Sequence, residues 1–566
     1  MNTKEQTTTV TVVLPCMWGP DESVPEQFLR QLDSLMSYSC VARVLLVRAD
    51  LTTALPAAFE AHPAKKAGEL RFIETSSWLA GSAIAELLEN SETDILLLMP
   101  RTADVGIEVT GIERFLSTAA STGAGLVYSN FRQIRGSEMI ELHLIDYRPG
   151  SLRESFDFGD VLFISKAAAH SVLDKYGSVD TSLRWAGLYD LRLKLATDFP
   201  ILRIPEPLYT RRLPEPSTAT GNSKKKKKYF DFGDAKSQSY QLEFETIANT
   251  HLRRVGAYLN SETSPLPPPE GDFPVLVSVI MPVRDRIDTI AAAVDSALNQ
   301  SALFSFNVIV VDDHSLDGTT EFLQERAKTH PNLVHKIPQE IGLGIGGLLN
   351  EALYAPECGV YLVQLDSDDL FAATDVLEKM LAKFWDTTSV DNNFKQRNAP
   401  PNYALVIGAY TTVDFALKET RQGVIHHPEF TTEEGRNTAL RMDGLGAPRA
   451  YYVPVLRRFG FPNTSYGEDY AVCLRISREY NIGRLFESLY LRRRWDGNTD
   501  RSLPIGSIRS IDVKEMLPPG TENVAGFLKS LRPLLLPLMT ATNNGYNSYK
   551  DWLRTVELQA RMNSHG

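Results

Sequence analysis

The chain writes one pattern twice, and that repetition restricts its possible folds more than any other feature. Val10–Pro15 reads VTVVLP and Val277–Pro282 reads VSVIMP. Each is a β-branched apolar run stopped by proline, as a buried parallel strand requires. The closing segments also match: Glu206–Arg212 is EPLYTRR and Glu487–Arg493 is ESLYLRR. The starts lie 277 − 10 = 267 residues apart and the ends 487 − 206 = 281. Near the middle of each span comes a second apolar strand, DILLLMP at Asp94–Pro100 and YLVQLDSDD at Tyr361–Asp369. The order and spacing indicate an internal duplication of a unit of roughly 200 residues.

Between the copies the sequence changes character. PEPSTATGNSKKKKKYFDFG opens a connector and SPLPPPEGDFP closes it. Proline, serine and a lysine run mark an exposed junction. Within it, Leu242, Phe244, Ile247, Leu252 and Val255 recur at near-helical spacing, which predicts a helix over about Gln241–Leu259, packed between the units. Lys224–Lys228 reads as a solvated surface run, or as a contact for an anionic membrane or a diphosphate carrier.

The second copy alternates strand and helix. Strands are expected at Val277–Pro282, Asn307–Asp313, Leu333–Ile337 and Val360–Leu365, with helices at Ile287–Leu298, Asp317–Lys328 and Ile345–Ala355. That order implies an open, mostly parallel α/β sheet, whose ligands bind beyond the carboxyl ends of the strands. The chemistry-bearing residues stand at those ends. Asn307–Val311 runs into Asp312 and Asp313, and Val360–Leu365 runs into Asp366, Ser367, Asp368 and Asp369. Clustered carboxylates repel and persist where a cation or a set of donors compensates them. Their hard oxygens suit Mg²⁺ or Mn²⁺ with positions left for phosphate and water. A DSDD string can also be a helix N-cap cluster.

Taken in order, VSVIMPVRDR, VVDDHSLDGT, VQLDSDD, YGEDYAVCLR and LYLRRRWDG resemble the motifs of a family 2 glycosyltransferase of the GT-A fold, over roughly Val277–Thr499. The resemblance implies a divalent metal cofactor, a nucleotide-sugar donor and a glycan or lipid-linked acceptor. It implies that Pro282, Val283 and Asp285 border the nucleotide base and that Asp313 hydrogen-bonds it, with Asp312 also in the donor site. Asp366 would meet the ribose or the metal, and Asp368 would ligate the metal. Asp469 would be the general base toward the acceptor hydroxyl, with Glu468 holding or tuning it. An exposed helix start is the alternative for that acid pair.

Two departures stand out. Leu349 precedes Asn350 where the family often has arginine, which would remove a diphosphate contact. Trp495 occupies the place of a metal-binding histidine, and Arg492, Arg493 and Arg494 alongside could supply charge to the leaving diphosphate. His426 and His427, before Pro428, read as a loop rather than a metal site. In the first copy Pro100 and Arg101 replace the DSDD acids, LLVRAD replaces VVDDHS, and Gly187-Leu188-Tyr189 stands opposite Gly467-Glu468-Asp469 with Asp190 as the one acid nearby. A slip of one or two residues in that alignment would bring Asp104 or Asp190 into play.

The expected architecture is therefore two tandem GT-A, Rossmann-like domains. Residues 1–215 form a degenerate, non-catalytic copy, 216–275 a connector with a helix, 276–502 the catalytic domain and 503–566 a helical extension. The expected function is metal-dependent, inverting sugar transfer in bacterial cell-envelope polysaccharide synthesis. A silent scaffold of a glycan-assembly complex and a two-site glycan polymerase are the alternatives. A net charge of −11 argues against bulk nucleic-acid binding. Cys16, Cys40, Cys358 and Cys473, with no CxxC spacing, suit a reducing compartment. The opening residues do not have the form of a secretory signal and no long apolar run occurs, so a cytoplasmic location is expected. Phe527–Met539, broken by Pro533 and Pro537, offers at most a peripheral contact at the inner membrane face.

Overall fold

The computed structural model of the protein describes residues 8–16, 24–48, 57–60, 62–75, 77, 79–99, 104–213, 235–387, 400–427, 429–430, 435–442, 444–464, 466–495, 498 and 542–564. Lys224–Lys228, Pro100, Arg101, Pro428 and Phe527–Met539 lie outside the described residues. The chain divides into two units, Met1–Gly256 and Ala257–Gly566.

The first unit is built on strands β1 (Val10–Pro15), β2 (Val41–Arg48), β3 (Leu70–Glu74), β4 (Ile95–Leu98), β5 (Asp104–Ile107), β6 (Leu126–Arg135), β7 (Glu138–Leu142), β8 (Leu162–Ser165) and β9 (Ile201–Leu213). The second is built on β10 (Val277–Val283), β11 (Phe306–Asp312), β12 (Leu333–Lys336), β13 (Tyr361–Gln364), β14 (Leu370–Phe371), β15 (Leu405–Val413), β16 (Glu419–Ile425), β17 (Arg449–Tyr452) and β18 (Ile482–Arg493). The sheets have the same order, β3-β2-β1-β4-β8-β6-β9-β5 and β12-β11-β10-β13-β17-β15-β18-β14, each with one further strand paired to its sixth position.

In each sheet the first four strands are parallel, because helices return the chain to the same edge. These strands read as continuous apolar runs since both faces are covered, and every residue of β10 is buried. The next two pairings are antiparallel, so the sheets are mixed. The helices Ile287–Leu298, Thr319–Thr329 and Ile345–Leu353 lie where the periodicity predicts them, within two residues at each end.

The connector helix runs Ala235–Arg254, earlier than the periodicity predicts. Phe244 and Leu252 are buried on it, whereas Leu242 is exposed. Its Glu243 accepts from the backbone N–H groups of Arg184, Trp185 and Ala186, and Phe244 packs on Tyr189 at 5.1 Å. It is thus an integral helix of the first unit. The Pro-rich stretch beyond it belongs to the second unit: the Tyr452 hydroxyl donates to Pro267 O at 2.7 Å, and Arg436 donates to Asn260 O and Glu262 O. The helix Thr542–Ser564 also belongs to the second unit. Its buried Arg554 donates to the Tyr470 hydroxyl at 2.8 Å, and Arg561 donates to Arg436 O and Ser477 Oγ. All four cysteines are free and buried.

Candidate active site

Four chain segments bring the acids of the second unit together. The first follows β10, where Asp285 takes a positive φ of 49° and its Oδ1 accepts from Leu316 N at 2.8 Å. The second is the turn after β11. Asp312 is fully buried and accepts from Ser315 N, Ser315 Oγ and Thr320 Oγ1, with His335 Nε2 at 3.4 Å. Burial opposes its ionisation, but these donors prevail and bring its pKa down to about 2. Asp312 therefore holds the turn. Asp313 does face the neighbouring loops: Arg284 Nη1 reaches its Oδ2 at 2.9 Å, and Gly342 N donates to its Oδ1 at 3.1 Å.

The third segment is the DSDD turn after β13. It is pinned from two sides. Thr289 Oγ1 donates to Ser367 O, and Arg493 donates to Asp368 O, to Thr289 O and, through its backbone N–H, to Asp369 Oδ1. The Tyr490 hydroxyl donates to Asp369 Oδ2 at 2.9 Å and accepts from Asp366 N. Burial, with Asp368 and Asp366 adding like charge, pushes the Asp369 carboxyl well above the usual range. Asp369 and Arg493 thus shape the turn. The Arg493 guanidinium donates to the carbonyls of Asp368 and Thr289, and burial lowers its pKa. Arg492 lies over the Tyr410 ring at 5.8 Å, and Arg494 N donates to Val413 O.

Asp366 and Asp368 keep a minor part of their surface exposed. Burial, then Asp368, raises the Asp366 pKa, with Asp469 adding to the effect and Arg449 opposing it. Asp368 Oδ2 accepts from Trp495 Nε1 at 3.3 Å and Asn498 Nδ2 at 3.0 Å. The indole is a donor only, so Trp495 orients the carboxylate and cannot ligate a metal as a histidine would. Asn498 was not foreseeable from the motif.

The fourth segment is the start of the helix Glu468–Glu479, where Gly467 takes φ +72°. Glu468 is 5% exposed, and burial followed by the charge of Asp469 raises its pKa well above the usual range. Asp469 pairs through Oδ2 with Arg449 Nη2, and its Oδ1 accepts from Tyr470 N at 2.6 Å. Arg449 is the participant that sequence reasoning missed. It opens β17 opposite Gln364 of β13, a register that no local pattern announces.

The Gly-rich stretch serves this segment. A Cβ on Gly346 would lie 1.8 Å from Pro462 O, so only glycine lets the helix Ile345–Leu353 meet residues 462–464. Gly346 N donates to Thr464 O, and Asn350 exchanges two hydrogen bonds with the Phe461 backbone. Leu349 is core. The stretch thus positions the Gly467-Glu468-Asp469 turn. His426 and His427 sit in the loop after β16. Burial brings the pKa of His427 down to about 3, and its ring stands edge-on to Tyr410. Among the described residues no group of three or more His, Cys, Asp or Glu is arranged to hold a metal ion.

Residues 278–441, which span β10, both Asp-bearing turns and β15, match the family model described as Glycosyl transferase family 2. The second unit carries a family 2 glycosyltransferase domain. The chain is 30% identical over 153 residues to the chondroitin synthase of Pasteurella multocida (strain Pm70), covering 27% of this chain and 15% of that relative. It is 29% identical over 216 residues to the Escherichia coli UDP-Glc:alpha-D-GlcNAc-diphosphoundecaprenol beta-1,3-glucosyltransferase WfgD, covering 37% and 73%. Among solved structures, S. aureus TarS 1-349 in complex with UDP-GlcNAc aligns at 19% identity and a TM-score of 0.32, covering 51% of this chain and 73% of that one. The family match ends before Glu468 and Asp469, so their roles rest on geometry. Among the described residues no helix is long and apolar enough to cross a membrane.

Proposed function

We propose that the second unit transfers a sugar from a nucleotide-sugar donor to a hydroxyl of a glycan or lipid-linked acceptor, with inversion, in bacterial envelope polysaccharide synthesis. The single observation that carries this is the convergence of Asp366, with Asp368 beside it after β13, on Glu468 and Asp469, a hundred residues later, with Arg449 among Asp366, Glu468 and Asp469. Inverting transfer needs a base on one face of the sugar and a neutralised leaving group on the other. Asp469 takes the proton of the acceptor hydroxyl. The acceptor oxygen forms the new C–O bond as the bond to the nucleoside diphosphate breaks, and the diphosphate leaves with that electron pair. Asp313 and Asp285 line the nucleotide end.

The donor set fits a divalent cation. Asp366 and Asp368 are two like charges in one largely buried turn, with hard oxygens of the kind such a cation takes, diphosphate and water completing its shell. When bound there, Mg²⁺ or Mn²⁺ would stabilise the negative charge of the leaving diphosphate. One named relative is a chondroitin synthase and another a glucosyltransferase named for a diphosphoundecaprenol-linked acceptor, which supports the same substrate class here. The first unit serves as a non-catalytic copy: Leu188 stands where Asp469 does in the second.

The test is transfer from UDP-, GDP- and dTDP-sugars by the full-length protein, in Mn²⁺ and in EDTA, repeated on Asp368→Asn. Turnover with one nucleotide class, lost in EDTA and in the variant, is the expected result. Turnover indifferent to both would remove the metal from the account. No turnover with any donor would leave the scaffold alternative in its place.

A further inference from the structure

We propose that Arg449 is the positioning residue for Asp469, fixing its carboxylate in the orientation that receives the acceptor proton. This rests on the reading of Asp469 as the base. Arg449 is largely buried, with 12% of its side chain exposed. Its Nη2 pairs with Asp469 Oδ2 and its Nε donates to Leu445 O, so the guanidinium is anchored at both ends. Asp469 Oδ1 accepts from the N–H of Tyr470 in its own helix. One bond comes from the helix and one from β17, which fixes the carboxylate plane and leaves lone pairs for a substrate proton.

Around Arg449 stand Asp469, Asp366, Tyr451, Cys473, Glu468 and His427. With Glu468 and Asp366 nearby, an unsupported Asp469 would be pushed away from its neighbours. An arginine counters this without ever taking the proton itself, because it stays charged at any working pH. β17 pairs with β13 so that Arg449 lies opposite Gln364, two residues before Asp366. One strand pair therefore sets both the base and the metal-side acid.

The first unit supplies an independent comparison inside the same chain. There Leu98 of β4 faces Leu162 of β8, as Gln364 faces Arg449. Leu162 thus occupies the register position of Arg449. Leu183 O accepts from Gly81 N as Thr464 O accepts from Gly346 N, an offset of 464 − 183 = 281 that puts Leu188 opposite Asp469. Where the base is absent, the arginine is absent too, and both positions are leucine.

The experiment compares Arg449→Met, Arg449→Lys, Asp469→Asn and the Arg449→Met/Asp469→Asn double variant in the full-length protein. Readouts are kcat, donor KM and calorimetric binding of the preferred nucleoside diphosphate. Arg449→Met should lower kcat at least ~10-fold, a share of the ~10²–10⁴ that a general base contributes. Donor KM and nucleotide binding should be unchanged, Arg449→Lys should recover part of kcat, and Arg449→Met should cost nothing further beside Asp469→Asn. Wild-type kcat in Arg449→Met, or an equal loss on top of Asp469→Asn, would overturn the proposal. Parallel loss of nucleotide binding would reduce Arg449 to a structural role. If Arg449→Met fails to fold, Arg449→Lys with its double variant carries the same comparison. Asp469→Asn with full turnover overturns the base reading itself, a result distinct from any failure confined to Arg449.

Discussion

At the start of the twelve-residue helix that precedes the last long strand, the two units keep the same backbone and part company in chemistry. In each, a glycine in the first turn of an earlier helix presses against the loop that leads into this one: a Cβ on Gly81 would meet Asp180 O at 1.8 Å, and one on Gly346 would meet Pro462 O at 1.8 Å. The hydrogen bond from that glycine to the loop recurs, at 2.8 Å to Leu183 O and 2.9 Å to Thr464 O. Tyr189 and Tyr470 then fall in register, and both hydroxyls seek backbone carbonyls, Leu152 O in one and Met442 O in the other. One position before those tyrosines stand Leu188 and Asp469. Arg211 lies over Phe131 in the first unit as Arg492 lies over Tyr410 in the second. The shared frame is carried by glycine and backbone, while the two units differ at this turn in single side chains.

Substitutions in the two units test that contrast. The largest effect belongs to Asp469→Asn, which should reduce turnover by ~10²–10⁴ while leaving nucleotide binding intact. Steady-state rates beside calorimetry check it, and a tenth of wild-type activity would be too much for the assigned role. Next comes Lys194→Met in the first unit. Lys194 and Asp190 form a buried pair at 2.7 Å, and removing one partner strands the other, at a cost of about 3–5 kcal/mol. Denaturant melts should show it, with rate per folded molecule unchanged. A catalytic Asp190 would instead appear as lost rate at preserved stability.

A smaller effect is expected from Gly81→Ala and Gly346→Ala, each costing about 1–3 kcal/mol because a backbone carbonyl must move. Only Gly346→Ala should also lower turnover, since it shifts the segment that presents Glu468 and Asp469. Equal activity losses in both would erase the distinction between the units. The mildest contrast is in acid. Asp312 is held from its ordinary 3.8 down to about 2, so its stabilisation is present above pH 4 and is lost as the pH falls through about 2. The register of β2 puts Arg48 at that position in the first unit. Thermal melts between pH 4 and 2 should therefore fall more steeply for wild type than for Asp312→Asn, and parallel curves would contradict the assignment.

Much of the frame was legible because its signals are local. Apolar runs stopped by proline mark β1 and β10, and the EPLY and ESLY segments mark β9 and β18. The acids at strand ends were legible for the same reason. The roles of Asp312, Asp369 and Arg493 were not, since a carboxylate that holds a turn and one that faces a ligand look alike until their donors are seen. Arg449 was invisible because its meaning comes from pairing with a strand some 85 residues away in sequence, and antiparallel register is a tertiary fact. The alignment of the two copies at Gly187 needed a one-residue correction. Counting from the ends gives 281, and the Gly81–Leu183 bond shows that this offset already applies there, placing Gly187 opposite Glu468.

Whether one unit alone keeps a donor site is read from the stoichiometry of nucleoside diphosphate binding in Mn²⁺. Calorimetry on the full-length protein would compare wild type with Asp368→Asn. One site per chain is expected, lost or much weakened in the variant. Two sites, or one that survives Asp368→Asn, would contradict it.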